Sequence, residues 1–372
     1  MPAPRVLVLN AGSSSLKFGL FDGDARIARG TIDRIGPGDA AAALGTVLER
    51  LEPHGGVKAL AAVGHRIVHG GNVFTAPTRL DERALEQLHR LEPLDPDHLP
   101  AELSIVRAVR DRAPGLPQVG CFDTAFHASM PRVARLLAIP RRFEARGVRR
   151  YGFHGLSYQY QLEELARLGG EATARGRVVL AHLGSGSSLA AVRDGQCVDT
   201  TMGFTPNSGV PMGTRSGDVD AGLAAYLLRA ECLGAAQLDA MLSKESGLLG
   251  LSGVSGDMRD LLAREASDLA CADAVALYCA SVRKAIGALA ATLDGLDTLV
   301  FAAGIGEGSP VIRARVCAGL SHLGAVLDEA RNTASEPVIS RDGSACMVRI
   351  VHTDEELVLA RETLRLLEGN HP

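Results

Sequence analysis

Apolar residues run unbroken through "VLVL" (6–9), break at "NAGSSSLK" (10–17) and resume in "FGLF" (18–21), before an Asp-Gly pair at 22–23. The pattern predicts strand, turn, strand and second turn, with a third strand after it. Asn-Gly alone would close such a hairpin. Here the turn is Gly12 with three serines, and one lysine, Lys17, follows in a strand that reads as buried. From Arg5 to Arg177, 172 residues on, "RVLVLNAGSSSLKFGLFDGD" falls without gaps on "RVVLAHLGSGSSLAAVRDGQ". Gly12/Gly184, Ser13/Ser185, Ser15/Ser187, Asp22/Asp194 and Gly23/Gly195 coincide. Two matched meanders half a chain apart predict duplicated α/β domains.

Helical periodicity covers 80–91 after the Asp81 cap, 101–110, 157–167, 219–230, 272–293, 312–320 and 355–368. Strands are predicted at 63–68, 117–121, 298–302 and 346–351. Helices and strands alternate, so the class is α/β. The segment 128–150 reads as the crossing between halves.

Composition narrows the class of function. The chain has 372 residues, too many for one ordinary core. Its net charge is −4 with acids and bases mixed, and aromatics are 4% with no Trp. No basic run or stacking platform points to nucleic acid, and no basic surface to a membrane. The apolar helix near 272–293 carries Asp273, Arg283 and Lys284, which makes it a core helix rather than a span. The seven cysteines include no CxxC and read as reduced thiols. With no signal-peptide pattern at the start, the expected location is cytoplasmic.

Glycine lets backbone N–H groups approach a phosphate, and small hydroxyls add donors without bulk. "GSSS" (12–15), "GSGSS" (184–188) and "GIGEGS" (304–309) are therefore candidate phosphate cradles, with Lys17 as an added point charge. Neither a Walker A sequence nor GxGxxG is present. Charged groups also stand among glycines in "GHRIVHGG" (64–71), "CFDTAFH" (121–127), "RYGFHG" (150–155), "MGTRSGD" (212–218) and "TDEE" (353–356). Arg66 and Asp123 end apolar strands, the usual place for ligand groups in an open α/β sheet. His65 and His69 read as structural, hydrogen-bonded residues. Arg66 and Arg215 fit either a salt bridge to Asp218 or its like, or an anion, and the glycine-rich settings favour the anion.

Those stretches, with "DTTMGFTP" and "TDEEL", stand in the order found in acetate kinases, which the chain resembles over nearly its whole length. The resemblance implies duplicated actin-like (ribonuclease H-like) domains with a central cleft. The first would be 1–127 plus 357–372, on the acyl and metal side; the second, 128–356, on the nucleotide side. It implies Mg²⁺-dependent phosphoryl transfer from ATP to acetate, giving ADP and acetyl phosphate, with Mn²⁺ as a possible substitute. Asp123, His154 and Arg215 would be catalytic, with Asp123 orienting an arginine or metal-bound water. Arg66 would hold the carboxylate beside Val68, Asp97, Phe153 and Pro206. Lys17, His182, Leu183, Gly184, Ser185, Gly186, Asp257, Met258, Arg259, Gly304, Ile305, Gly306, Glu307 and Gly308 match nucleotide positions. Asn10 and Glu355 match magnesium positions. A homodimer is expected, since relatives are usually dimers. The chain departs from the usual pattern at Ser185 and Gly308 (both usually Asn), Tyr158 (His) and Asp97 (Leu). A propionate or other short-chain carboxylate kinase, or a non-transferring actin-like ATPase, are the alternatives.

Overall fold

The computed structural model describes residues 4–12, 15–33, 36 and 38–369, so Ser13 and Ser14 of the first turn lie outside the described residues. The chain divides into two compact units. The first gathers Met1–Ala128, Phe153–Tyr160 and Asp354–Pro372, and the second Ser129–Gly152 and Gln161–Thr353. The sequence places everything from 128 to 356 in the second domain, but Ala128, Phe153–Tyr160 and residues 354–356, with Glu355, fall in the first unit. A backbone bond explains the return: the Gly155 N–H donates to the Asp123 carbonyl at 3.0 Å. A Cβ at Gly155 would lie 2.1 Å from that oxygen, so only glycine permits the approach.

In the first unit β1 (Arg5–Ala11), β2 (Ser15–Asp22) and β3 (Ala25–Asp33) form the antiparallel meander. β4 (Leu60–Ile67) lies parallel to β1, and β6 (Gln118–Phe122) parallel to β4. The two-residue β5 (Thr78–Arg79) pairs antiparallel with β6, giving the order β3-β2-β1-β4-β6-β5. β1 is buried on both faces, which is why it reads as a continuous apolar run. Leu7 and Leu9 pack with Ala43, Leu44 and Val47 of the helix Ala40–Leu51. Val6 and Val8 pack with Val358, Leu359 and Ala360 of the helix Glu355–Leu367. On β2, Leu16 and Phe18 point into the core while Lys17 between them is exposed. The buried reading of Lys17 is thereby corrected by strand alternation.

The second unit holds β7 (Val178–Leu183), β8 (Ser187–Arg193), β9 (Gln196–Thr200), β10 (Thr298–Ala302) and β11 (Met347–Ile350), in the order β11-β10-β7-β8-β9. β7 to β9 are an antiparallel meander, and β10 and β11 run parallel to β7. Strand for strand, β7, β8, β9, β10 and β11 repeat the order and sense of β1, β2, β3, β4 and β6. The helix Leu269–Leu293 buries Val275, Tyr278, Val282 and Ile286 in this unit's core. It alone among the described residues is long and apolar enough to cross a membrane, and its buried face is that of a core helix.

The predicted helices and strands are present with ends displaced by a few residues. Periodicity passed over the helices Ala40–Leu51 and Ala235–Lys244. It also read 304–309 as a turn, where the structure has the short helix Ala303–Gly308.

Candidate active site

In the first unit the parallel strands deliver Arg66 and Asp123 together. Arg66 sits near the end of β4 opposite Cys121, and Asp123 follows β6 directly, its N–H donating to the Ile67 carbonyl. Asp123 is 1% exposed and binds the guanidinium in a fork. Arg66 Nη2 donates to Oδ2 at 2.6 Å, and Nε donates to both oxygens at 3.2 Å. The remaining edge has longer contacts, Nη1 to Asn10 Oδ1 at 3.4 Å and to Glu355 Oε2 at 3.8 Å. Burial works to lower the Arg66 pKa, but Asp123 and Glu355 outweigh it and the net direction is up. Arg66, Asp123, Asn10 and Glu355 are thus one cluster, drawn from both ends of the chain.

His154 stands at φ 59, left-handed backbone that a non-glycine residue rarely adopts. The Gly155–Asp123 backbone bond fixes it beside the same segment. Phe153 is buried, and its carbonyl accepts from His127 Nε2 at 2.9 Å. Burial lowers the His127 pKa to about 4, so this imidazole is neutral at pH 7. His65 is likewise lowered to about 4 by burial, with Nε2 2.8 Å from Gln118 Oε1. In His69, Nδ1 accepts the Gly71 N–H at 3.0 Å.

Of the expected acyl-pocket walls, Val68 and Phe153 are buried in the first unit, and Pro206 belongs to the second. Asp97 is exposed, which corrects its placement as a wall. The buried acid of that stretch is Asp95, 4% exposed, whose Oδ1 lies 2.8 Å from His98 Nδ1. The 3-10 turn Glu92–Leu94 ends at Asp95 and turns that side chain inward. Behind Val68 lies a residue that motif reading missed. Glu102 is 2% exposed and receives the Val68 N–H on both oxygens at 3.2 Å. Burial, reinforced by Asp95, pushes its carboxyl well above the usual range. Its signal was present, since Glu102 falls in the apolar stripe Leu99, Leu103, Val106 of the helix Leu99–Arg112.

The second unit carries a pocket of about 950 Å³. Gly184, Ser185, Asp257, Met258, Arg259, Gly304, Ile305 and Gly308 line it, joined by Gly213 and Thr214 next to Arg215. Four segments distant in sequence therefore converge, among them the glycine-rich stretches 184–188 and 304–309. Asp257 caps the helix Met258–Arg264 through the Arg259 N–H. Hydrogen bonds from Arg259 side chain and backbone lower its pKa to about 2. Arg215 Nη1 donates to the Pro206 carbonyl at 3.3 Å.

His182, Leu183, Gly186, Gly306 and Glu307 do not line this pocket. Glu307 instead braces the turn. Its Oε1 accepts the N–H of Ala303 at 2.7 Å and of Thr353 at 3.1 Å, and Oε2 lies 2.8 Å from His352 Nδ1. Ala303 needs that support, standing at φ 64. A second brace lies under 184–186, where Ser187 Oγ, 2.9 Å from the buried Tyr278 hydroxyl, donates to the Gly184 carbonyl. The distant partners, His352 and Thr353 for Glu307 and Tyr278 for Ser187, were not legible, because those contacts join segments far apart in the chain.

Among the described residues no three His, Cys, Asp or Glu side chains cluster to hold a metal. Asn10 and Glu355, though, aim oxygens at one atom of Arg66. Two hard oxygen donors suit Mg²⁺, which keeps most of its waters.

Comparison with known proteins places the chain in a family. The profile of the Acetokinase family matches residues 37–361. An acetate kinase of Carboxydothermus hydrogenoformans is 41% identical over 395 aligned positions, covering 98% of this chain and 99% of its own. The crystal structure of Porphyromonas gingivalis acetate kinase superposes with a TM-score of 0.92 at 35% identity, covering 98% of this chain and 100% of that one. A propionate kinase from Francisella tularensis gives 0.91 at 33% identity, covering 96% of this chain and 98% of its own. Matched along its whole length in sequence and fold, the chain belongs to the acetokinase family.

Proposed function

We propose that this protein transfers the terminal phosphoryl group of ATP reversibly to acetate, giving ADP and acetyl phosphate. The observation that carries the reading is the half-occupied Arg66. Asp123 takes the Nε–Nη2 edge and leaves Nη1, with its longer contacts, to a substrate carboxylate. A carboxylate is already ionised at neutral pH, so the acceptor needs no general base. Asp123 accepts three hydrogen bonds from Arg66 and acts by fixing that guanidinium. His154 and Arg215 stabilise the oxygens of the phosphoryl group in transit, since this chemistry rests on alignment and charge neutralisation. Asn10 and Glu355 would hold Mg²⁺, which when bound neutralises phosphate charge. The nucleotide occupies the pocket lined by Gly184, Ser185, Asp257, Met258, Arg259, Gly304, Ile305 and Gly308.

The repeated strand order supports a duplicated, actin-like origin for the two units. A homodimer is part of the same reading. The helix Ala221–Ala230 buries none of its residues and exposes Leu223 and Tyr226, an apolar face suited to a second copy. The six buried, unbridged cysteines suit a cytoplasmic location.

A second reading, propionate as acceptor, is favoured by the similarity to the Francisella propionate kinase. Hydroxamate formation from MgATP and a carboxylate series, formate to butyrate, tests both. Acetate is expected to give the highest kcat/KM. A maximum at propionate selects the second reading, and no product with any carboxylate defeats both.

A further inference from the structure

Arg313, on the helix Pro310–Cys317, is fully buried. Its Nε donates to Asn332 Oδ1 at 2.9 Å. Nη1 donates to the carbonyls of Gly306 at 2.9 Å and Glu307 at 2.7 Å. Nη2 donates to the Asn332 carbonyl at 2.8 Å and Ser335 Oγ at 2.9 Å. A guanidinium has five N–H donors, and these contacts use them all. Every acceptor is neutral. Buried charges are ordinarily paired with an opposite charge, and here two carbonyls of the turn 303–308 stand in for the counter-ion.

The placement links that charge to the pocket. Gly306 and Glu307 are not among the residues that line the pocket, while Gly304, Ile305, Gly308 and Ser309 on either side are. The Arg313 N–H also donates to the Ser309 carbonyl at 3.1 Å. We propose that Arg313 is a positioning residue for the nucleotide's phosphates: it clamps the turn 304–308 from the core side and keeps its own charge there without a directly bonded carboxylate. Burial brings its pKa down only to about 10, so the group is cationic at pH 7. A carboxylate partner would have held the turn equally well and cancelled the field.

This inference rests on the nucleotide reading of the pocket but not on the identity of the acceptor. Calorimetric titration of the purified protein with MgADP and with adenosine separates a phosphate effect from general damage. Arg313→Met, checked for fold by circular dichroism, is expected to weaken MgADP at least tenfold while adenosine changes less than twofold. The KM for ATP should rise in parallel and the KM for acetate stay put. Equal weakening of MgADP and adenosine, or unchanged MgADP affinity, overturns the proposal. Where Arg313→Met does not fold, Arg313→Lys serves. It keeps the charge and loses the fork, so MgADP should weaken less than fivefold with adenosine unmoved; parallel loss of both overturns the proposal. Wild-type protein that binds MgADP but forms no hydroxamate refutes the acceptor reading and leaves this test intact.

Discussion

Arg66 in the first unit and Arg313 in the second are both largely removed from water, and they meet that cost with opposite partners. Arg66 has Asp123 and Glu355 around it, so its cluster carries a net negative charge. Arg313 has only amide and hydroxyl oxygens, so its charge stands. The difference matches two tasks. A group that must accept a new anion in each cycle benefits from partners that keep it oriented and can be exchanged. A group that only shapes a loop benefits from partners that never leave.

The contrast is broken most severely at Arg66. Arg66→Ala should lower kcat/KM for the carboxylate by about 3 kcal/mol or more, the range for lost transition-state donors. It should also destabilise the first unit by ~3 kcal/mol or more, because Asp123 is left buried without its cation. Adding Asp123→Asn should recover melting temperature but not activity. Unchanged stability in the single variant would show that the pair is not a structural requirement.

Arg215 sharpens the comparison from the other side. Arg215→Ala should cost about 3 kcal/mol in kcat/KM with a smaller change in melting temperature than Arg66→Ala. Equal losses of stability would place Arg215 among structural residues.

Acid should act on the first unit through its buried histidines. His65 has a folded pKa near 4 against the ordinary 6.5, because burial disfavours the cation. The unfolded chain therefore binds the extra proton, and stability is fully present above pH 6.5 and lost as pH falls toward 4. Between pH 7 and 5 the loss is ~2 kcal/mol for His65. His65→Gln should remove that share of the decline in urea melts at the two pH values. An unchanged decline would mean that the ring is protonated in the fold.

The smallest effect is expected at the hydroxyl brace. Tyr278→Phe removes one buried hydrogen bond, at a cost of ~1 kcal/mol in stability, with a rise in the KM for ATP below threefold. A larger rise would show the 184–186 turn to depend on that single contact.

Much of this was readable in advance, for identifiable reasons. β1 and β7 announced themselves because strands buried on both faces carry unbroken apolar runs, Val6–Leu9 and Val178–Ala181. Arg66 and Asp123 were found because strand ends are where open sheets place ligand groups. Asp97 was expected as a wall through the resemblance alone, and no helix or strand period announces the 3-10 turn that makes Asp95 the buried acid of that stretch. Arg313 stands at the spacing of Val316, Cys317 and Leu320, all buried, and that polar break in an apolar stripe was its only trace. Its partners lie on segments around 306, 332 and 335, which no local pattern connects.

The helix Glu355–Leu367 covers the face of the first sheet formed by Val6, Val8, Val119 and Cys121. Its packing is close enough that a Cβ at Gly64 would fall 2.4 Å from Thr363 Oγ1. On the ribosome, β1 and β6 must therefore wait, with that apolar face bare, until residues 355–367 have been translated. Nearly all of the second unit, through Thr353, is synthesised before then. The usual order, in which the N-terminal domain is completed first, is inverted, and β1 and β6 keep that apolar face uncovered through most of synthesis.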